Sequence, residues 1–191
     1  MTKDYGSLIR KLPDFPQKGV VFQDINPLLV NWKALQAASN DLAMDIDIIM
    51  PYSTKLIAIE ARGFIMGGIV ATLLNAGLVP IRKKGKLPNY DSLRSIEYQL
   101  EYGTDELVMD MSLLNYHDKI VVFDDVLATG GTAEAAYKLL EKEVEKGSFA
   151  PLNPDNICFA FLLEIDSLKG REYLSKQTKI PSENIISLIH A

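Results

Sequence analysis

At 191 residues, with 48% hydrophobic and 24% charged side chains, the chain has the composition of one folded domain large enough to bury a full core. A formal net charge of −5 argues against non-specific binding to nucleic acid, whose affinity comes mainly from Lys and Arg. No apolar run approaches the roughly 20 residues of a membrane span. The N-terminal stretch carries Lys3, Asp4, Arg10 and Lys11 rather than a leader-like apolar run, and the lone Cys158 excludes a disulfide within the chain, so the cytoplasm is the expected compartment.

In chain order, Tyr5 to Lys11 reads as a short helix ending before Pro13, and Leu12-Pro13-Asp14-Phe15-Pro16 as irregular. Gly19-Val20-Val21-Phe22-Gln23-Asp24-Ile25-Asn26-Pro27-Leu28-Leu29 is too apolar for a free loop and is expected to pack on the body as a hood. Asn31 is the expected N-cap of a helix with Leu35, Ala38, Leu42 and Ile46 on one face. Strand-like runs then recur at Leu56 to Ile59, Leu78 to Ile81, Ile120 to Phe123, Ile157 to Leu163 and Ile185 to Ile189. Between the first two runs lies a helix, Phe64 to Asn75, with Gly77 as its terminating glycine. Strand–helix alternation implies a parallel α/β sheet, which places ligands at the carboxyl ends of the strands.

Those ends carry polar chemistry. Glu60-Ala61-Arg62-Gly63 follows the first strand and offers backbone N–H groups and a guanidinium to an anion. Arg82-Lys83-Lys84-Gly85-Lys86 follows the second, a run of cations suited to a leaving group that gains charge. From Asn89 to Asp110, Ile96, Tyr98, Leu100 and Tyr102 alternate with polar residues, Gly103-Thr104-Asp105 reads as a turn, and Leu107, Met109 and Met111 alternate again, a β-hairpin or flap. His117 is expected in solvent and Cys158 in the core. Near the end, Glu164-Ile165-Asp166-Ser167-Leu168-Lys169-Gly170-Arg171 leaves its strand and turns through Gly170.

The organising stretch is Ile120-Val121-Val122-Phe123-Asp124-Asp125-Val126-Leu127-Ala128-Thr129-Gly130-Gly131-Thr132, followed by a helix with Ala136, Leu139, Leu140 and Val144 on one stripe. Gly130 and Gly131 let successive N–H groups converge, the helix adds its unpaired donors, and Thr129 and Thr132 add hydroxyls. The result is a cradle for a phosphate dianion, and with no Gly-Lys-Ser/Thr it is not a triphosphate loop. Asp124 and Asp125 beside it would repel a bare phosphate. They fit a phosphate that carries vicinal hydroxyls, or a magnesium ion bound through water.

This stretch resembles the phosphoribosyl-pyrophosphate (PRPP) signature of the type I phosphoribosyltransferases, and Leu-Ala-Thr-Gly-Gly-Thr is similar to the form found in the adenine-specific members. The resemblance spans nearly the whole chain. It implies the type I phosphoribosyltransferase fold over residues 1–191, a mostly parallel twisted sheet flanked by helices, with a hood from about 1–34 and a mobile flap from about 82–110. It implies conversion of adenine and PRPP to AMP and pyrophosphate, with Mg2+ held mainly through PRPP and water near Asp124 and Asp125, in a homodimer that binds neither nucleic acid nor membrane. The 5-phosphate falls to Ala128, Thr129, Gly130, Gly131 and Thr132, and the pyrophosphate to Ala61, Arg62, Arg82, Lys83, Lys86 and Tyr102. A non-proline cis peptide is implied at Glu60-Ala61. Adenine falls to Val21, Phe22, Arg62 and Ile165, with Phe22 and Ile165 covering its two faces; read without the resemblance, both would be core. Glu101, Asp124, Asp125 and Arg62 are the implied catalytic residues, with Glu101 a candidate to handle the purine's proton.

Adenine presents a 6-amino donor and an N1 acceptor, which hypoxanthine and guanine reverse, so a main-chain carbonyl and N–H at Val21 would discriminate. Three alternatives stand beside this reading: a phosphoribosyltransferase for another purine, a non-catalytic PRPP-binding regulator, and a structural dimer module with a vestigial site. No DNA-binding segment or strong basic face is visible for the regulator.

Overall fold

The computed structural model describes residues 4–88, 90–100 and 103–191. Arg10–Pro13 (β1) and Val21–Asp24 (β2) form a separate antiparallel ribbon, with Arg10 paired to Asp24 both in register and by its side chain. Asn26–Val30 (α1) and Trp32–Ile49 (α2) follow, and the Asn31 side chain accepts from Ala34 N as the expected cap. The body alternates Lys55–Ile59 (β3), Gly63–Leu73 (α3) and Gly77–Lys83 (β4). After the hairpin Leu93–Leu100 (β5) and Gly103–Asp110 (β6) come Ile120–Leu127 (β7), Gly131–Glu145 (α4), Ile157–Glu164 (β8), Gly170–Thr178 (α5) and Ile185–His190 (β9).

Seven strands form one sheet in the order β5-β6-β4-β3-β7-β8-β9. It is parallel from β4 to β9, with β6 antiparallel to both β4 and β5. The strand sequences explain why both faces are covered. In β3, Leu56 and Ala58 face one core with α2 and α3, while Ile57 and Ile59 face a second core with α4 and α5. In β7, Val121 and Phe123 divide from Ile120 and Val122 in the same way. An unbroken apolar run is what a strand buried on both faces requires. Cys158 is sealed in the first core, where burial pushes its thiol up to about 12, and His117 is exposed as expected.

Several local expectations are corrected. The N-terminal segment makes only a single 3-10 turn, Gly6–Leu8, before becoming β1, because pairing with β2 outweighs local helix preference. Pro13 is tolerated there because an edge strand needs fewer donors. The residue that turns the chain after α3 is Asn75, at φ 54°, and Gly77 already belongs to β4. Gly103 pairs with Leu100, so Gly103-Thr104-Asp105 opens β6 and is no turn. Lys169, at φ 54°, makes the turn assigned to Gly170, and β7 runs on through Asp124 and Asp125 to Leu127. The expected hairpin forms and joins the main sheet, since Arg82 and Lys83 of β4 pair with Val108 and Leu107 of β6.

Candidate active site

β3, β7 and β8 are neighbours, so their carboxyl ends converge, and together with the hood ribbon they enclose a cleft of about 800 Å³. Of the residues singled out above, Val21, Phe22, Arg62, Asp124, Asp125, Ala128, Thr129, Gly131, Thr132 and Ile165 line it. Gly130 lines a recess of about 50 Å³ at the start of α4, together with Thr129, Gly131 and Thr132. Ala61, Arg82, Lys83 and Lys86 are not among the lining residues. Glu101 and Tyr102 lie outside the described residues.

The two acids differ although they are adjacent. Asp125 is buried, and Arg62 Nε lies 2.8 Å from its Oδ2. That contact is an ion pair without hydrogen-bond alignment, so Oδ2 is a buried oxygen lacking a hydrogen-bond donor. Asp124 keeps part of its surface open to the cleft, and its Oδ1 accepts from Asp125 N at 2.8 Å. Burial and then repulsion from Asp125 push the Asp124 carboxyl well above the ordinary range. Burial raises Asp125 as well, against the pull of Arg62. Gly63 makes this packing possible, since a Cβ there would lie 3.0 Å from Asp124 Oδ1 and 3.3 Å from its Cα. The Glu60–Ala61 peptide preceding Arg62 is cis.

The candidate phosphate cradle is built chiefly on main chain. Gly130 sits at φ 88°, and α4 begins after it with no side-chain cap, so its first donors point outward unclaimed by a capping side chain. The loop is held from behind by α5. A Cβ on Gly170 would lie 2.1 Å from Ala128 O, and one on Gly130 would lie 2.8 Å from Gly170 O. Only paired glycines allow that approach. Gly170 therefore positions the cradle, a role that a reading of it as a turn misses.

The planar slot is partly built. Arg62 lies over the Phe22 ring at 5.2 Å, and Phe15 meets that ring edge-on at 5.2 Å. Ile165, just past the end of β8, lines the same cleft and is held by the residues around it. Arg171 Nε donates to Glu164 Oε2 at 3.1 Å, and its other nitrogens reach Ser182 O, Ile185 O and Ser187 Oγ. This clamp, Glu164 with Arg171, was also missed. A glutamate at a strand end followed by Lys-Gly-Arg was the available signal.

The basic run is largely neutralised within the chain. Arg82 Nε lies 3.1 Å from Glu60 Oε2, Lys83 Nζ 2.8 Å from Asp105 and Lys84 Nζ 2.7 Å from Glu106. The Arg82 hydrogen bond holds the Glu60 carboxyl below its ordinary value, with Lys83 N–H and the nearby Lys86 charge adding to it. Beside it the hairpin leans on the cradle, for Gln99 lines the cleft and its carbonyl lies 3.7 Å from where a Gly131 Cβ would be.

No family model matches the chain. It is 45% identical over 188 residues to the adenine phosphoribosyltransferase of Thermosipho melanesiensis, covering 98% of this chain and 97% of that one. It is also 39% identical to the enzyme of the same name from Crocosphaera subtropica, over 97% and 98% of the two chains. Among solved structures, the APRTase of Giardia lamblia complexed with 9-deazaadenine superposes with a TM-score of 0.84 at 36% identity, over 98% of this chain and 96% of that one. The adenine phosphoribosyltransferase of Saccharomyces cerevisiae, complexed with an imino-altritol bisphosphate and adenine, gives 0.80 at 28% identity, over 97% and 96%.

Proposed function

This chain belongs to the adenine phosphoribosyltransferase family, and we propose from that footing how its own residues carry the reaction and what accompanies it. It has the type I phosphoribosyltransferase fold and transfers the 5-phosphoribosyl group of PRPP to adenine, giving AMP and pyrophosphate. The observation that carries the residue assignment is the convergence, in one cleft, of an uncapped glycine turn, an acid pair and an aromatic slot.

In this reading the 5-phosphate lies on the N–H groups of Ala128 to Thr132, with the hydroxyls of Thr129 and Thr132. Asp124 and Asp125 accept from the ribose hydroxyls and fix the sugar so that C1 faces the base. Adenine lies between Phe22 and Ile165, its amino edge on the main chain of Val21, with Arg62 reaching both base and pyrophosphate. The C1–N bond forms as the C1–O bond breaks, pyrophosphate leaves with the electron pair, and the base gives up its imidazole proton. Glu101 is assigned that proton, and Tyr102 closure over pyrophosphate, from their place in the family segment alone. Arg82, Lys83 and Lys86 supply positive field to the leaving group, and closure of the 82–110 flap and the 1–34 hood excludes water from the ribosyl centre.

The acid pair also fits a magnesium ion. Two adjacent carboxylates with raised proton affinity, one with a buried oxygen that no donor satisfies, are stabilised by nearby positive charge. Asp124 and Asp125 would hold it through water. When bound, it supplies charge neutralisation on the PRPP oxygens.

A homodimer belongs to the same reading. α3 is apolar on every side, yet one chain buries only part of it and leaves Ile65 and Leu73 exposed, as is Leu78 of β4. A helix apolar all round is normally covered, and a second copy would cover it. The described residues include no helix long and apolar enough to cross a membrane, and a lone buried thiol suits the cytoplasm.

Incubation with PRPP, magnesium and each purine in turn, following pyrophosphate, tests the assignment. AMP should form from adenine, and turnover of hypoxanthine without turnover of adenine would overturn it.

A further inference from the structure

Beside the glycine turn an open groove of about 540 Å³ runs along α5. Gln99, Thr129, Gly131 and Leu168 line both this groove and the cleft, so the two share a rim at the candidate phosphate cradle. The rest of the groove is one face of α5. Lys169 caps that helix, and Tyr173 and Lys176 follow at intervals of four and three residues, which a helix places on one side. That side is fixed against the turn. The Tyr173 ring comes within 3.1 Å of where a Gly130 Cβ would stand, and its hydroxyl donates to Glu134 at 2.6 Å. One lysine therefore stands on each side of the tyrosine that abuts the turn.

The two ammonium groups are unmatched. Neither Lys169 nor Lys176 makes an ion pair among the described residues, in contrast to Arg82, Lys83 and Lys84. Glu172 also lines the groove, four residues before Lys176, but does not pair with it, so two lysines face one carboxylate. The chemistry of phosphorylated sugars says what such a charge could meet. PRPP carries its pyrophosphate on C1, and AMP carries nothing beyond its 5-phosphate. A nucleoside 5′-diphosphate carries its second phosphate at the end of the sugar away from C1. With the first phosphate in the cradle, the second must pass beyond the glycine turn, and the groove adjoins there.

Resting on the phosphoribosyl-transfer reading above, we propose that this groove is a subsite for the terminal phosphate of adenosine 5′-diphosphate (ADP), with Lys169 and Lys176 on that phosphate and the nucleoside in the cleft. ADP bound in this way occupies the seat of PRPP and holds back AMP formation. The inhibitor is then the class of compound that phosphorylation of the product supplies. AMP and PRPP end at the cradle, so their own affinities do not draw on the two lysines.

The test compares wild type with Lys169→Gln, Lys176→Gln, the double variant and Glu172→Gln. AMP and ADP are titrated calorimetrically into each protein without magnesium, and their inhibition against PRPP is measured at fixed free magnesium. Wild type should bind ADP about tenfold more tightly than AMP, in competition with PRPP. Each single lysine variant should lose about threefold of that advantage and the double variant nearly all of it, with AMP affinity and the KM for PRPP unchanged. Glu172→Gln should enlarge the advantage, and added salt should shrink it. Should the double variant not fold by circular dichroism, the single variants decide on the same ratio. Three results overturn the inference while the reaction assignment stands: ADP no tighter than AMP in wild type, ADP that does not compete with PRPP, or an advantage that survives loss of the lysines. Equal losses for AMP and ADP overturn it too, since they would mark a diffuse positive surface. A wild type that binds both nucleotides but makes no AMP from adenine removes the reaction assignment, and this inference with it.

Discussion

The two regions proposed to bind the anionic groups of PRPP are built on opposite plans. The glycine turn at Ala128 to Thr132 carries no cation, is fixed from behind by backbone contact with Gly170, and lines the cleft. The run from Arg82 to Lys86 carries four cations, but Arg82, Lys83 and Lys84 are each already matched by a carboxylate, and none of the run lines the cleft. Main-chain donors cannot be quenched by a neighbouring acid, because their direction is set by the fold. Side-chain charge can be, and here it mostly is. A backbone site is therefore ready before ligand arrives, whereas a charge run must surrender partners to act.

The strongest way to break this contrast lies at the acids beside the backbone site. Changing Asp124 and Asp125 together to Asn should lower turnover by about 10² or more if, as proposed, they orient the sugar. The fold should survive, because both residues are raised in proton affinity and their charge opposes folding. A carboxyl whose folded pKa is raised binds its proton more tightly in the folded chain. Stability is then fullest below the ordinary carboxylate range and is lost as pH rises through the raised folded value. Asp124→Asn alone should flatten that fall and melt higher than wild type at neutral pH. Parallel melting curves across pH for the two proteins would refute the raised affinity, and full activity in the double variant would remove the sugar-orienting role.

A smaller effect is expected at the contact behind the cradle. Gly170→Ala puts a methyl 2.1 Å from Ala128 O, a clash with backbone that no rotamer relieves. Overpacking of this kind costs about 1–3 kcal/mol. The cradle should shift, and the KM for PRPP should rise about tenfold. Gly68→Ala is the control, since a Cβ there meets nothing within 4 Å and the residue is helical. Gly68→Ala should gain about 0.5–1 kcal/mol. Equal melting temperatures and equal KM values for the two variants would show that the cradle needs no such contact.

The same contrast explains what could be read from the sequence. Strands β3, β7 and β8 were legible because an apolar run covered on both faces has no other interpretation, and the sites followed from where those runs end. The acid pair and glycine turn were legible because they are contiguous in the chain. What escaped was set by contacts distant in sequence. Gly170 answers to Ala128, Glu164 to Arg171, and the N-terminal strand to residues eight or more positions on. The state of the basic run escaped for the same reason, since Asp105 and Glu106 reach it only because β6 folds back on β4.

The smallest expected effects separate the members of that run. Lys86 makes no ion pair among the described residues, although its charge is felt at Glu60, so its ammonium remains available to a leaving pyrophosphate. Lys84 is mostly exposed and occupied by Glu106. Lys86→Ala should therefore raise the KM for PRPP about three- to tenfold and steepen no dependence on salt, since the lost interaction is itself the screened one. Lys84→Ala should leave KM and kcat at wild-type values, because it removes a charge already matched in the resting protein. The two variants change net charge equally, so a general field effect would move both alike. Equal increases would mean that the run acts as a diffuse positive surface, and its pairing with Glu60, Asp105 and Glu106 would then have no bearing on which cation meets the substrate.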